Sequence, residues 1–142
     1  MGMEAIYATW SPRILSVLRI VAGLLLLQYG LAKILGFPAA PQFAQIATFS
    51  LVWFAGAIEL VFGALILVGL FTRPAAFILS GEMAFAYFLG HAPKGFFPIL
   101  NGGGFAILFC FVFLYIAAAG GGPWSLDALR RAEPTREPAV AR

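Results

Sequence analysis

Residues 14–35 read ILSVLRIVAGLLLLQYGLAKIL, a run of 22 positions centred on Leu24-Leu25-Leu26-Leu27 and broken only by Arg19 and Lys33. A helix that crosses a bilayer needs about 20 consecutive, mostly apolar residues. This run meets that length. It is too long for the apolar core of a typical secretory signal, it carries an arginine, and no small-residue cleavage site ends it, so it reads as a retained spanning helix. Three further apolar runs follow, at 51–71, 74–90 and 103–119. The expected fold is an all-α, integral-membrane bundle of four transmembrane helices. One domain covers 1–131, and a charged, proline-containing tail at 132–142 is expected to be disordered.

Composition agrees with a bilayer as the solvent. Of 142 residues, 62% are hydrophobic and 11% charged. Soluble domains carry about a quarter charged residues, so this chain has too few to cover a water-facing surface. The formal charge of +3 gathers near the C-terminus and forms no basic stripe, which argues against nucleic acid as a partner. The lone Cys110 excludes an internal disulfide and a Cys-x-x-Cys redox pair, and is expected to pack as a small apolar residue. The lone His91 cannot supply both axial ligands of a haem, and no metal site is expected.

Punctuation separates the runs. Phe37-Pro38-Ala39-Ala40-Pro41 breaks the chain after the first. Thr72-Arg73-Pro74 reads as a tight hairpin between the second and third, with Pro74 in the first turn of the third. The stretch from His91 to Asn101 is a loop with Pro93 and Pro98, and Asn101 can cap the fourth helix. Residues 125–131 read as a short surface helix. Arg13, Arg73, Arg130, Arg131, Arg136 and Arg142 fall on one side of this topology, against Lys33 and Lys94 on the other. The positive-inside rule then places both termini in the cytoplasm. Trp10 and Trp124 fall at that interface and Trp53 at the outer one.

Charges inside a bilayer are costly and face the bundle interior. At about 100° per residue, Arg19, Gly23, Leu26, Gly30 and Lys33 share one face of the first helix, and Gly56, Glu59 and Gly63 share one of the second. Glycines on those faces let backbones approach and charges meet. Depth favours Arg19 paired with Glu82, with Glu59 close by. That leaves one excess carboxylate. Either Lys33 reaches inward to balance it, or one glutamate carries a proton; an outward, snorkelling Lys33 is the commoner outcome at a helix end. The expected polar site is therefore Arg19, Lys33, Glu59 and Glu82, in a pocket opening toward the outer leaflet, with His91 at its rim. Such charges can also serve only to fix helix register.

The order and spacing of several short stretches carry a family resemblance. They are Arg19-Ile20-Val21-Ala22-Gly23, Tyr29-Gly30-Leu31-Ala32-Lys33, Glu59-Leu60 leading to Gly69-Leu70-Phe71-Thr72-Arg73, Glu82-Met83-Ala84, His91-Ala92-Pro93 with Gly95-Phe96, Asn101-Gly102-Gly103, and Ser125-Leu126-Asp127. In these the chain resembles the DoxX family of small four-helix membrane proteins over nearly its whole length. The resemblance implies a bacterial inner-membrane protein associated with redox chemistry, since the family name comes from a quinone-linked thiosulfate oxidation system. Quinone is the cofactor it implies, and a redox protein the partner. The family pattern commonly has a glutamate after Asn-x-Gly; this chain has Gly104 there, which alters any site that glutamate serves. Three functions follow: a membrane redox component that handles quinone or docks a redox partner, a non-enzymatic scaffold or assembly factor, and a small-solute or proton pathway. No Rossmann, P-loop or Cys–His motif marks the chain as a self-sufficient enzyme.

Overall fold

The computed structural model describes residues 2–133. The expected tail thus lies almost wholly outside the described residues. Six α-helical segments follow one another: α1 (Met3–Leu35), α2 (Leu51–Val68), α3 (Thr72–Ala86), a single turn α4 (Pro98–Asn101), α5 (Gly104–Ala119) and the short α6 (Leu126–Ala132). The chain is all-α. It runs up and down, so the starts of α1 and α3 and the ends of α2 and α5 lie at one end, which we call the α6 end.

Three runs are long and apolar enough to cross a membrane: α1, α2 and Thr72–Lys94. Their outer faces are apolar. Leu24, Val61 and Phe85 are exposed, as lipid-facing residues are. The chain is thus a multi-pass membrane protein. α5 is equally apolar but has 16 residues, which at 1.5 Å each extends about 24 Å against a hydrocarbon core of about 30 Å.

Several element boundaries differ from the sequence reading. α1 begins at Met3, not Ile14, and runs straight through Pro12. Met3, Glu4, Ala5 and Ala8 before Pro12 are good helix formers, and one missing amide does not end a helix already begun. The turn between α2 and α3 is Gly69-Leu70-Phe71, and Thr72-Arg73-Pro74 already forms the first turn of α3. Gly69 is left-handed, its amide donates to Ile66 O, and the Leu70 amide donates to Leu65 O. That is the Schellman closure, whose left-handed residue favours glycine. α3 is prolonged by a π-helical turn (Tyr87–His91) and a 3₁₀ turn (Ala92–Lys94). Asn101 does not cap α5, whose cap position is Gly103; instead its Oδ1 accepts from the Gly103 amide at 2.8 Å.

The helices pack as two close pairs, α1 on α2 and α3 on α5, joined mainly through α2 and α3. Glycine sets the first pairing. A Cβ on Gly23 would stand 2.7 Å from Leu67 N, and one on Gly30 would stand 2.5 Å from Leu60 N. Only hydrogen fits at either contact. The shared core is Leu26, Ile66, Leu79, Met83, Phe113 and Ile116, with Ala22, Ala75 and Ala76.

Candidate functional site

The close α1–α2 crossing brings Lys33 onto Glu59. Lys33 Nζ lies 2.8 Å from both Glu59 oxygens, and the two side chains are only 11% and 3% exposed. Gly56, one turn before Glu59, makes room: a Cβ there would stand 2.6 Å from Lys33 Cβ. The segment after α1 then folds back over the pair. Its 3₁₀ turn, Pro41–Phe43, places the Phe43 ring centroid 5.3 Å from Lys33 Nζ, and the Tyr29 ring is 5.9 Å away. Tyr29 and Phe43 meet edge to face at 6.2 Å. Lys33 therefore does not snorkel outward. A near-by carboxylate and two aromatic faces hold the ammonium more favourably than the interface does.

Glu82, on α3, is the unsatisfied member. Both carboxyl oxygens are buried and neither has a hydrogen-bond partner among the described residues. The charges acting on it are those of Glu59 and Lys33. A buried polar group without a partner costs free energy that nothing else in the fold recovers. This carboxyl is thus a group with hydrogen-bonding capacity to spare, beside an ion pair, inside a membrane.

The expected pairing of Arg19 with Glu82 is not what forms. Arg19 is fully buried and spends its guanidinium on backbone carbonyls. Nη1 donates to Ile66 O at 2.6 Å and Leu67 O at 2.7 Å, Nε to Gly121 O at 2.8 Å, and Nη2 to Trp124 O at 2.5 Å. The last carbonyls of a helix lack intrahelical donors and carry partial negative charge, so the end of α2 is a natural seat for a cation. The Gly120–Trp124 loop supplies the rest. Arg19 lies seven to eight residues along α2 from Glu59 and clamps the α6 end.

Asp127, which sequence reasoning placed only in a family motif, completes that clamp. Its Oδ1 accepts from the Phe71 amide and its Oδ2 from the Thr72 amide, each at 2.9 Å, so α6 caps the start of α3 from across the fold. Burial alone would raise the Asp127 carboxyl, but the hydrogen bonds from Thr72 and Phe71 and the positive Arg131 hold it below its ordinary value. His91 is half-buried and closes the π-helical turn that prolongs α3, with Nδ1 3.0 Å from Asn101 O. Asn101 is buried there and donates to Gly95 O at 2.9 Å. Of the expected site residues, the fold brings Lys33, Glu59 and Glu82 together, seats Arg19 at the α6 end, and leaves His91 at the other end of the bundle.

Two clefts, of about 400 and 360 Å³, open near the α6 end: one at the start of α3, the other beside Trp10 and Tyr115. Neither is lined by Lys33, Glu59 or Glu82, so the outward-opening polar pocket is not one of them.

Fold and site together define a small multi-pass helical membrane protein with an ion pair and an unpartnered carboxyl within its spans. The DoxX family model matches residues 14–92, from α1 through Glu82 and His91, and the chain belongs to the DoxX family. It is also 46% identical over 122 residues to an uncharacterized protein of Haemophilus influenzae, a match covering 83% of this chain and 91% of that one. No solved structure is significantly similar to it.

Proposed function

We propose that this DoxX-family chain is a redox-associated component of the bacterial inner membrane that handles a quinone, with Glu82 as its proton-exchanging group. In this reading α5 is the fourth span, lengthened at one end by α4, and both termini face the cytoplasm. The observation that carries the reading is the buried Glu82 carboxyl, with no hydrogen-bond partner among the described residues, beside the Lys33–Glu59 pair. A quinone carbonyl accepts a hydrogen bond from a carboxylic acid. On reduction a quinone takes up electrons and protons in equal number. The electrons would come from a docked redox protein, and Glu82 would give its proton to a ring oxygen and be reprotonated from the aqueous side before giving the second. Because neither cleft reaches Glu82, side chains around it have to part for the head group to enter.

The test is a titration of a soluble quinone analogue against wild type and Glu82→Gln, read by equilibrium binding and by thermal shift. We expect binding by the wild type and clearly weaker binding by a Glu82→Gln protein that still melts like wild type. No binding by the folded wild type would leave a second reading, a scaffold or assembly factor. Arg19 favours that one, since all its hydrogen bonds are spent holding the fold together. The topology has its own test: a reporter active only in the periplasm, fused after Arg142, should stay silent.

A further inference from the structure

We infer that the cleft between the start of α3, the end of α5 and α6 binds the phosphate of an anionic phospholipid head group. This does not rest on the quinone reading. The cleft is about 400 Å³ and its walls include Phe71, Thr72, Arg73, Gly121, Arg130 and Arg131. Three arginines face one carboxylate, Asp127, and that carboxylate already accepts two backbone amides. The balance is positive, and guanidinium forks match phosphate oxygens.

Two of the arginines are held in place. The Arg130 guanidinium sits 5.0 Å from the centre of the Phe71 ring. Arg73 donates through Nη1 to Ala117 O and Ala118 O at the end of α5, leaving its other nitrogens free to donate. An independent observation comes from Thr72. It is 1% exposed, and its hydroxyl is buried without a hydrogen bond. Its side chain also helps to hold the Asp127 carboxyl low, and both oxygens of that carboxylate already accept backbone amides. The hydroxyl lies directly behind Gly121, a residue of the cleft wall: a Cβ there would stand 2.9 Å from Thr72 Oγ1. A phosphate oxygen in the cleft gives that hydroxyl an acceptor.

The surroundings favour a lipid over free phosphate. Phe71 and Leu129 are 53% and 65% exposed, so apolar surface lies beside the arginines where acyl chains would run. The cleft also lies where α5 ends and α3 begins, at the edge of the apolar spans. Basic groups at that level meet anionic head groups.

The test uses the full chain in neutral detergent, titrated with short-chain phosphatidylglycerol, short-chain phosphatidylcholine and inorganic phosphate. Binding is read by native mass spectrometry and thermal shift. We expect phosphatidylglycerol to bind in preference to phosphatidylcholine. Arg131→Gln and Arg130→Gln should each weaken it about tenfold, the worth of a charge-assisted hydrogen bond. Arg13→Gln, which removes an arginine of the same end outside the cleft, should leave it within about twofold if general surface charge is a minor contributor. Thr72→Val should weaken it without lowering the melting midpoint. Arg130 and Arg131 are exposed, so their loss leaves the fold intact. Equal effects of Arg13→Gln and Arg131→Gln, or no preference for phosphatidylglycerol, would overturn the site. Inorganic phosphate binding with the same arginine dependence, undisturbed by either lipid, would overturn the lipid as its source.

Discussion

At the α6 end of the bundle the Arg19 guanidinium meets four carbonyl oxygens, while deeper in the spans the Glu82 carboxyl meets no donor among the described residues. Both are charged residue types taken out of water. One is matched bond for bond by its surroundings; the other is left open. Matching is what a structural role looks like, because a satisfied buried charge fixes which segments touch. An open carboxyl adds nothing to the fold, so its presence needs another reason. The Lys33–Glu59 pair falls between, closed in charge yet adjacent to the open group.

The comparison predicts a steep order of effects. Arg19→Leu should be the most damaging, since it strands carbonyls of two segments together. Each buried acceptor left unsatisfied costs about 1–3 kcal/mol, so the loss should exceed about 3 kcal/mol. Thermal unfolding in detergent checks this, with Glu82→Gln as the second change. If Arg19 answers only to carbonyls, Glu82→Gln rescues nothing and the double variant is additive. Rescue would mean that Arg19 and Glu82 pair in the membrane after all.

Lys33→Met comes next, at about 2–4 kcal/mol, because it leaves the Glu59 carboxylate buried and unpaired. Here rescue is expected. The Lys33→Met, Glu59→Gln double should recover most of the loss, giving a coupling energy well outside the additivity range of about 0.5 kcal/mol. Additivity would show the pair to be a contact without energetic consequence.

Asp127→Asn should cost about 0.5–2 kcal/mol, the range for a helix cap. Because the folded carboxyl titrates below its ordinary value, its contribution is complete above about pH 4. It is lost as pH falls through the lower, folded value. The midpoint difference between wild type and Asp127→Asn should hold steady at neutral pH and shrink in acid. A difference that grows in acid would mean that the cap is not made by the ionised form.

The same contrast separates what the sequence made legible from what it did not. Apolar length announced α1, α2 and α3, and the glycine faces of α1 and α2 announced which sides would meet. The position of Gly56 one turn before Glu59 was enough to suggest a charge meeting a partner there. Side-chain letters point Arg19 to the wrong partner, because they name only side-chain acceptors. Its true acceptors are main-chain oxygens of Ile66, Leu67, Gly121 and Trp124, and no letter of the sequence marks a carbonyl. The Asp127 cap spans 55 residues and depends on where the chain returns after α5, which local pattern does not encode. The signal that could have found it was the Ser125-Leu126-Asp127 start of a helix, the one aspartate of the chain. Phe43 was missed for a similar reason: it lies in a loop whose fold-back over Lys33 follows from tertiary contact.

Glu82→Gln should change stability least. The carboxyl has no hydrogen bond to lose, and an amide of nearly the same shape fits the same space. The expected change is within about 0.5 kcal/mol, or slightly stabilising, which is the range for substitutions that break no specific contact. The midpoint in detergent, compared with that of Glu59→Gln, measures it. Glu59→Gln strips Lys33 of its counter-charge and should be the more harmful although the chemical change is identical. Equal losses in the two variants would erase the contrast between matched and open groups. Glu82 would then have partners within the folded bundle, and the case for it as a ligand-facing proton group would fall with that result. A silent Glu82→Gln that still abolishes quinone binding would separate function from fold at a single carboxyl.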